Sequence, residues 1–283
     1  MNFIITGSGG CSPIPKALCQ CKVCIEARRK GFPYARCGCS LYLDDISLLI
    51  DTPEDINIAL NNCDITSLDY IFYSHWHPDH TLGLRIIDQI QIEWLDLYEN
   101  IKPKNLIKVC ATKSVMDQIN GIRSPYGSFM DFYEHKMGSM QRQIVENSLK
   151  IDKIDITFLS VPLKDAITIF VFESNGKKVV YAPCDCKNFL KKDIIQNCDL
   201  LIIGETFIGD VLKNNVNIYP EHLLRNELYS IEDIVKLKEE LKIKNVIITH
   251  IEEYYGKSFD DYRILEKKYE NIKFAYDGMK IEI

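Results

Sequence analysis

Short apolar runs separated by polar loops dominate the first half of the chain. They have the length and the β-branched and aromatic content of buried strands, and they lie at residues 3–6, 41–43, 47–51, 69–73 and 107–111. The second and third runs predict a hairpin that turns at Asp44 and Asp45. This half of the chain therefore predicts a sheet.

Helix signals follow two of these strands. Thr52 fits an N-cap and Pro53 fits the first helical position, so a helix is predicted over about 52–62. Apolar residues at helical spacing predict a second helix that begins near Thr81. The pattern then fades over residues 121–142, which we interpret as an insertion or a lid.

The second half alternates strand and helix patterns. Strands are predicted at residues 154–161, 167–173, 178–181, 200–203, 245–249, 274–276 and 279–283. Helices are predicted after the cap residue Ser230 and over about 259–269. Since no Pro/Gly/Ser-rich linker interrupts the chain, we predict one compact α/β domain over residues 1–283.

Composition narrows the class of protein. The 283 residues are 46% hydrophobic and 26% charged, with a formal net charge of -6. There is no basic surface run for extended nucleic acid, no signal-peptide pattern and no apolar run that would span a bilayer. We expect a cytoplasmic protein, in which the 11 cysteines are reduced thiols or metal ligands.

A dense histidine cluster follows the strand at 69–73. His75, His77, Asp79 and His80 lie within six residues, and the chain has only six histidines. A tight turn there aims several ligands at one point, with Pro78 stiffening it. Imidazole and carboxylate together suit zinc, iron or manganese, so we predict a metal site with His75 and His77 on one ion and Asp79 and His80 on its neighbour.

Residues 74–80 and their surroundings resemble the metallo-β-lactamase superfamily. The resemblance rests on the His-x-His-x-Asp-His motif, the glycines at 7–10 after the first strand, Asp51 before the motif, and Thr249-His250 after a late strand. Within the superfamily, the early cysteines and the end at 276–279 resemble the PhnP-like phosphodiesterases of the carbon–phosphorus lyase pathway. The resemblance implies a four-layer αββα sandwich with a dinuclear site at one edge of the paired sheets.

The resemblance also assigns ligands. His75 and His77 would bind the first metal, and Asp79, His80 and His250 the second. Asp185 is the candidate for the bridging carboxylate, and Cys184, one residue away, could substitute for it.

One family histidine is missing from segment 160–165. Three alternatives follow: only the second metal binds tightly, Asp165 takes the missing role, or His135 reaches in from 121–142. Lys164, at the same place, could instead hold a substrate anion.

A second cluster of thiols lies near the N-terminus. Cys19, Cys21 and Cys24 can wrap a tetrahedral zinc in a structural site that lies within the cysteine-rich loop at 19–39. The resemblance places a histidine as fourth ligand where this chain has Glu253. We therefore expect Cys37 or Cys39 to complete the site.

The expected activity is hydrolysis by a metal-bound hydroxide. Asp79 and Asp185 would hold the metals, His222 would protonate the leaving group, and Arg225 would contact a phosphate unless it pairs with Glu221. The resemblance implies a small phosphodiester as substrate, cyclic ones included.

Two other functions stay open: a metal-binding member that has lost strong catalysis, and an iron redox enzyme with its metal at the same cluster. We expect a small-molecule partner, with no membrane and no extended nucleic acid, and a homodimer is a reasonable assembly.

Overall fold

The computed structural model describes residues 1–99, 101–161, 165–184, 186–187 and 192–283. Its strands are β1 (Asn2–Gly7), β2 (Ser40–Leu43), β3 (Leu48–Ile50), β4 (Tyr70–Phe72), β5 (Ile107–Ala111), β6 (Arg123–Ser124), β7 (Gly127–Ser128), β8 (Met140–Ile144), β9 (Ser148–Ile151), β10 (Ile154–Val161), β11 (Ile167–Ser174), β12 (Lys177–Ala182), β13 (Leu200–Ile203), β14 (Thr206–Phe207), β15 (Tyr229–Ser230), β16 (Asn245–Ile248), β17 (Ile272–Phe274) and β18 (Met279–Glu282).

The helices are shorter and lie between the strands. They are α1 (Lys22–Lys30), α2 (Ile56–Asn62), α3 (Pro78–Thr81), α4 (Ile86–Gln91), α5 (Trp94–Tyr98), α6 (Lys113–Ile119), α7 (Phe129–Asp131), α8 (Lys192–Ile195), α9 (Leu224–Glu227), α10 (Ile231–Glu240) and α11 (Phe259–Glu266). Three 3₁₀ turns at Asp44–Ile46, Lys213–Asn215 and Glu253–Tyr255 and a π-helical turn at Phe132–Met137 complete the described elements.

Two seven-stranded sheets form the centre of the molecule. The first has the order β18-β1-β2-β3-β4-β5-β8, and the second has the order β17-β16-β13-β12-β11-β10-β9. In each sheet a parallel portion joins an antiparallel one: β3, β4 and β5 are parallel in the first, and β12, β13 and β16 in the second. Loops that follow parallel strands leave from the same edge, which is where side chains from distant parts of the chain meet.

Three apolar cores hold four layers together. The central core joins the inner faces of the two sheets, with Phe3, Phe72 and Phe172 fully buried. A second core packs the outer face of the second sheet against residues such as Ile231 and Tyr262, from α10 and α11. A third packs the outer face of the first sheet against α2, α4 and α6. The fold is therefore the expected αββα sandwich.

Most strand predictions are confirmed to within about two residues at each end. The helix after Ser230 is also confirmed, with Ser230 and Asp233 forming a reciprocal capping box. The single long helix predicted from Thr81 is wrong, because the chain there forms the short helices α3, α4 and α5. Gly83 explains the break: a Cβ on it would meet the Pro53 carbonyl oxygen at 1.9 Å, so the chain turns tightly against that loop.

Segment 121–142 is more integrated than an insertion would be. Its C-terminal end enters β8, which pairs in parallel with β5 in the first sheet. Met130, Tyr133 and Met140 are buried in the core on the outer face of that sheet. This end of the segment is part of the sandwich, because its apolar side chains fill the outer layer.

Among the described residues, none of the helices has the length and apolar character needed to cross a bilayer.

Candidate functional site

The histidine motif occupies the loop between β4 and α3. Pro78 stands at the first turn of α3, where its missing N–H costs nothing. The Thr81 hydroxyl lies 2.9 Å from the Trp76 carbonyl oxygen and 3.0 Å from that of His77, and donates to this pair. These contacts fold the loop back on itself, so that residues 75, 77, 79 and 80 gather at the edge of the first sheet.

Asp51, at the end of β3, fixes the orientation of two of these histidines. Its Oδ2 accepts a hydrogen bond from His80 Nδ1 at 2.8 Å and from the Ser74 hydroxyl at 2.6 Å. Since the Ser74 proton is used on Asp51, the Ser74 oxygen accepts from His75 Nδ1, 2.8 Å away. Both imidazoles therefore carry their proton on Nδ1 and present the Nε2 lone pair, as metal ligands require.

Asp79, His80 and His250 form a compact triangle of ligand atoms. The two Nε2 atoms of His80 and His250 are 3.3 Å apart, and Asp79 Oδ2 lies 3.4 Å from the first and 3.5 Å from the second. Ligands about 2.0–2.1 Å from a tetrahedral metal stand about 3.3 Å from one another. These residues fit one face of such a site and leave its remaining position open.

The charge states of this triangle suit a cation. Burial opposes ionisation of Asp79, but His250 and His80 outweigh it and hold the pKa of its carboxyl below the usual range. Burial likewise disfavours the His250 imidazolium, yet Glu205, Asp79 and Glu252 raise its pKa to about 9. The negative field that attracts a proton here also attracts a metal ion.

His75 and Cys184 extend the cluster. His75 Nε2 is buried without a hydrogen-bond partner in the described structure, which is costly unless another ligand uses its lone pair. Burial and the neighbouring imidazoles of His80 and His77 hold the pKa of His75 well below its ordinary value, so the ring is neutral. The Cys184 sulfur groups with the ring nitrogens of His75 and His80, and also with Glu205 and His250.

The Cys184 sulfur therefore lies close to the ring nitrogens of His75, His80 and His250, where the bridging ligand was expected. It lies just beyond β12 and is buried. Asp185, the first choice for that role, lies outside the described residues, as does Lys164.

Asp165, one of the candidates for the role of the missing histidine, lies beside His77. Its Oδ2 is 3.6 Å from His77 Nε2, and its Oδ1 accepts a 2.9 Å hydrogen bond from Trp76 Nε1. His135 is far less suitable, because its side chain is 69% exposed and its Nε2 lies 3.1 Å from an Arg142 nitrogen. Of the three alternatives, the geometry favours Asp165.

Sequence reasoning missed Glu205 and Glu252. One carboxylate oxygen of each lies close to His250 Nδ1, at 3.4 Å for Glu205 and 3.5 Å for Glu252. Glu205 comes two residues after β13, so a carboxylate just past a parallel strand was the available signal. Glu252 also packs against Gly10, where a Cβ would lie 2.1 Å from its Oε1.

The thiol cluster has a fourth member that the sequence analysis did not favour. Glu253 Oε1 lies 3.2 Å from the sulfur of Cys19, 2.9 Å from that of Cys21 and 3.8 Å from that of Cys24. In a tetrahedral zinc site, sulfur at about 2.3 Å and oxygen at about 2.0 Å stand about 3.5 Å apart. The four groups fit such a site.

The expectation that Cys37 or Cys39 completes this site is wrong. The Cys39 sulfur lies in the core, 3.4 Å from the Tyr181 hydroxyl and 3.9 Å from that of Thr249. Cys37 is buried in the core on the outer face of the first sheet. Both lie in the segment that leads into β2, and neither belongs to the group of ligand atoms formed by Cys19, Cys21, Cys24 and Glu253.

His222 and Arg225 lie on a separate segment between β14 and β15. His222 Nδ1 accepts from the Leu224 amide at 3.2 Å, and its ring packs on Tyr219. Arg225 is paired with Asp210 and with backbone carbonyls rather than with Glu221, so its guanidinium already has an acidic partner. Neither residue belongs to the groups of metal-ligand atoms.

Comparison with known proteins identifies the family. The family model described as "Beta-lactamase superfamily domain" matches residues 47–251, well over half of the chain. The chain therefore belongs to the β-lactamase superfamily, and its sandwich is the metallo-β-lactamase fold. No curated protein sequence matches it significantly.

Solved structures agree on the fold. A diphosphatase from the PhnP family is 19% identical with a TM-score of 0.72, covering 100% of this chain and 96% of its own. Zinc-bound PqqB from Methylobacterium extorquens is 18% identical with a TM-score of 0.74, covering 100% of both chains. The short form of human tRNase Z is 15% identical with a TM-score of 0.64, covering 100% of this chain and 99% of its own. At these identities the likeness shows the shared architecture.

Proposed function

We propose that this protein is a metal-dependent hydrolase that cleaves small phosphodiesters, cyclic ones included. The observation that carries the proposal is the triangle of Asp79, His80 and His250 ligand atoms, with the unpartnered His75 Nε2 beside it. A metal ion held there would supply a Lewis acid and a water of lowered pKa. The phosphoester part of the proposal draws on the likeness to the PhnP-family diphosphatase and to tRNase Z.

This proposal gives each of the candidate residues a role in binding metal, bridging the ions, transferring a proton or binding substrate. Asp79, His80 and His250 would hold one ion, and His75 and His77 would hold the other, with Asp165 in place of the family histidine. Cys184 or Asp185 would supply the bridging ligand, and Asp51 keeps His80 oriented through a 2.8 Å hydrogen bond. His222 would protonate the leaving oxygen, and Lys164 would attract the substrate anion.

The thiol cluster would hold a structural zinc. Cys19, Cys21, Cys24 and Glu253 supply all four ligands, which leaves no position for substrate. The net charge of -6 favours a small-molecule partner over extended nucleic acid, and a homodimer remains the proposed assembly.

The test combines metal content with hydrolysis. Protein purified without added metal is assayed with bis-p-nitrophenyl phosphate, a five-membered cyclic phosphodiester and a phosphomonoester. We expect the diesters to be cleaved at least 100-fold faster than the monoester, and Asp79→Ala to lose both metal and activity. Asp155→Ala is the matched control, since that exposed carboxylate pairs with Lys150 far from the site. A metal-loaded protein that cleaves no diester would refute the proposal.

A redox role for iron at the same centre is the second candidate. It is favoured by Cys184, because a sulfur among imidazoles suits iron as well as zinc. Elemental analysis separates the two: iron in place of zinc, with no diesterase activity on reloading with zinc or manganese, supports the redox candidate.

A further inference from the structure

Lys213 connects the thiol cluster to a distant part of the chain. Its Nζ lies 2.5 Å from Glu253 Oε1 and 3.3 Å from the Cys19 sulfur. The side chains are partly enclosed, with Lys213 23% and Glu253 5% exposed. Lys213 is 194 residues from Cys19 in sequence, so this contact joins two elements that no local pattern links.

The charge of the filled site explains why a lysine stands there. Three thiolates and one carboxylate carry four negative charges, and a divalent metal compensates only two of them. The remaining double negative charge lies in a partly buried place, where it is weakly screened. The ammonium of Lys213 offsets half of it at hydrogen-bonding distance.

Lys213 stands at the tip of a narrow turn. The turn is closed by backbone hydrogen bonds from Leu212 to Val216 at 2.8 Å and from Ile218 to Asp210 at 2.7 Å. At its base, Arg225 pairs with Asp210 and donates to the Ile218 carbonyl at 2.9 Å. The same turn is thus tied at its tip to the thiol cluster and at its base to α9.

The segment that contains this turn begins and ends near the candidate metal centre. It follows β13 and Glu205, which groups with Cys184 and His250, and it carries His222 before β15 pairs with β14. Lys257 makes a second link, donating to the Ile208 carbonyl at 3.1 Å. Tyr219 and Leu223 on this segment are exposed, at 57% and 72%, whereas Ile208 and Ile218 are buried in the second core.

We propose that Lys213 is a positioning residue that uses the negative charge of the metal–thiolate cluster to fasten residues 208–222 against the body of the protein. The metal at Cys19, Cys21, Cys24 and Glu253 then governs the order of a segment that carries a candidate proton donor. This inference rests on the proposed structural metal and is independent of the hydrolytic reaction.

The test is a cycle of metal removal and substitution in the full chain, made in an Asp79→Ala background so that the metal counted belongs to the thiol cluster. Zinc affinity is measured by chelator competition, and backbone hydrogen exchange is measured over residues 208–222. We expect Lys213→Met to weaken zinc affinity about 10- to 100-fold, as loss of an outer-shell partner of a metal site does. We also expect it to raise exchange of the segment, and Lys213→Arg to restore both.

Lys257→Met is the matched control. It removes a cation that contacts the same segment but not the thiols, so it should loosen the segment without changing zinc affinity. In the Asp79→Ala background with Lys213 intact, stripping the zinc should raise exchange of residues 208–222, whereas in Lys213→Met it should add nothing further. The d–d and thiolate bands of cobalt-substituted protein should also shift in Lys213→Met, which a purely structural contact would not cause.

Three outcomes would overturn the inference. Lys213→Met could leave zinc affinity unchanged or tighten it, which would make the lysine a competitor of the metal. The segment with Lys213 intact could exchange equally with and without zinc. The thiol cluster could bind no metal at all, in which case the structural-metal proposal falls too, while loss of diesterase activity alone would leave this inference intact.

Discussion

At the scale of single residues, the candidate centre concentrates unusual backbone conformations. Asp51, Glu205 and His250 all have a positive φ, at 64°, 52° and 52°. A positive φ raises the conformational energy of an L residue. The short side chains of Asp and Asn can offset this cost with a local hydrogen bond, but the longer side chain of glutamate does not. The shared feature is that each follows a parallel strand and turns its side chain toward the same place, which is how strain accumulates at functional sites.

The first prediction concerns Asp51. The Asp51 carboxylate accepts from three donors, the Ser74 amide at Oδ1 and both the Ser74 hydroxyl and His80 Nδ1 at Oδ2. Asp51→Asn replaces one of these oxygens by an NH2 group, so the Ser74 amide and His80 compete for a single neutral oxygen. His80 then loses the partner that fixes its tautomer, and zinc affinity of the centre should fall about 10- to 100-fold. Chelator competition measures this, with Asp45→Asn as an exposed control whose carboxylate contacts Asn2. Equal affinities in the two variants would contradict the role given to Asp51.

The second prediction concerns Cys184. In a triple background of Cys19→Ser, Cys21→Ser and Cys24→Ser, which removes every sulfur of the thiol cluster, cobalt-substituted protein should keep a sulfur-to-cobalt charge-transfer band if Cys184 is a ligand. Cys184→Ser should abolish that band, while Cys186→Ser, whose sulfur donates to the Cys184 carbonyl, should retain it. A band that survives Cys184→Ser, or is absent before that substitution, would return the bridging role to Asp185.

Sequence predicts ligands well only where they are close in the chain. His75, His77, Asp79 and His80 are visible as a motif because six residues contain all four. Glu205 is an isolated acidic residue and Glu253 is one of an adjacent pair. Each follows a strand of the second sheet, and the parallel pairing of β13 with β16 brings them to the same edge of that sheet. The chemical preference of zinc for thiolates favours Cys37 or Cys39 over Glu253 as the fourth ligand. That preference contains no information about the direction of the side chains, and both cysteines are buried elsewhere.

At the scale of elements, strands were predictable because each is a short apolar run with clear breaks. The helices after Thr81 could not be predicted in the same way. Leu84, Ile87 and Ile90 have the spacing of one continuous helix, but the chain there is broken into short helices. Gly83 packs on the backbone of residues 52 and 53, with its N–H donating to the Thr52 carbonyl at 2.8 Å. The contact of Gly83 with residues 52 and 53 therefore determines where the helix breaks. A contact between distant parts of the chain cannot be read from the local sequence pattern.

The third prediction tests this contact. A Cβ at Gly83 would lie 1.9 Å from the Pro53 carbonyl oxygen and 2.8 Å from that of Thr52, and backbone atoms yield little. We expect Gly83→Ala to lower the free energy of unfolding by about 3 kcal/mol, as overpacking does. Gly176→Ala is the control: it meets no atom within 4 Å and should cost only about 1 kcal/mol for its positive φ. If urea denaturation finds the same loss of unfolding free energy in both variants, the loop at residues 52–53 moves to accommodate the added Cβ and the prediction is wrong.

At the scale of the whole molecule, Asp277 joins the two ends of the chain. It follows β17 and accepts hydrogen bonds from the Ser8 amide at 2.9 Å and from the Cys37 amide at 2.6 Å. Arg36, itself buried, donates to the Ser8 hydroxyl at 2.7 Å and to the Ala275 carbonyl, so a charged network closes the first sheet where β1 and β18 pair. The sequence contains no local sign of this network.

The fourth prediction follows from the pKa of Asp277. Burial raises it to about 6, although Cys37, Ser8 and Arg36 oppose the rise. An unfolded aspartate has a pKa of about 3.9, so between these values unfolding releases a proton and the free energy of unfolding falls as pH rises, by about 2 kcal/mol from pH 4 to 6. Urea denaturation of metal-stripped protein should show this fall relative to Asp277→Asn, which cannot ionise. Because other carboxylates titrate in both proteins, the difference between the two curves isolates Asp277. Parallel curves would mean that the positive charge of Arg36 and the amide donors of Ser8 and Cys37 keep the Asp277 carboxylate ionised throughout.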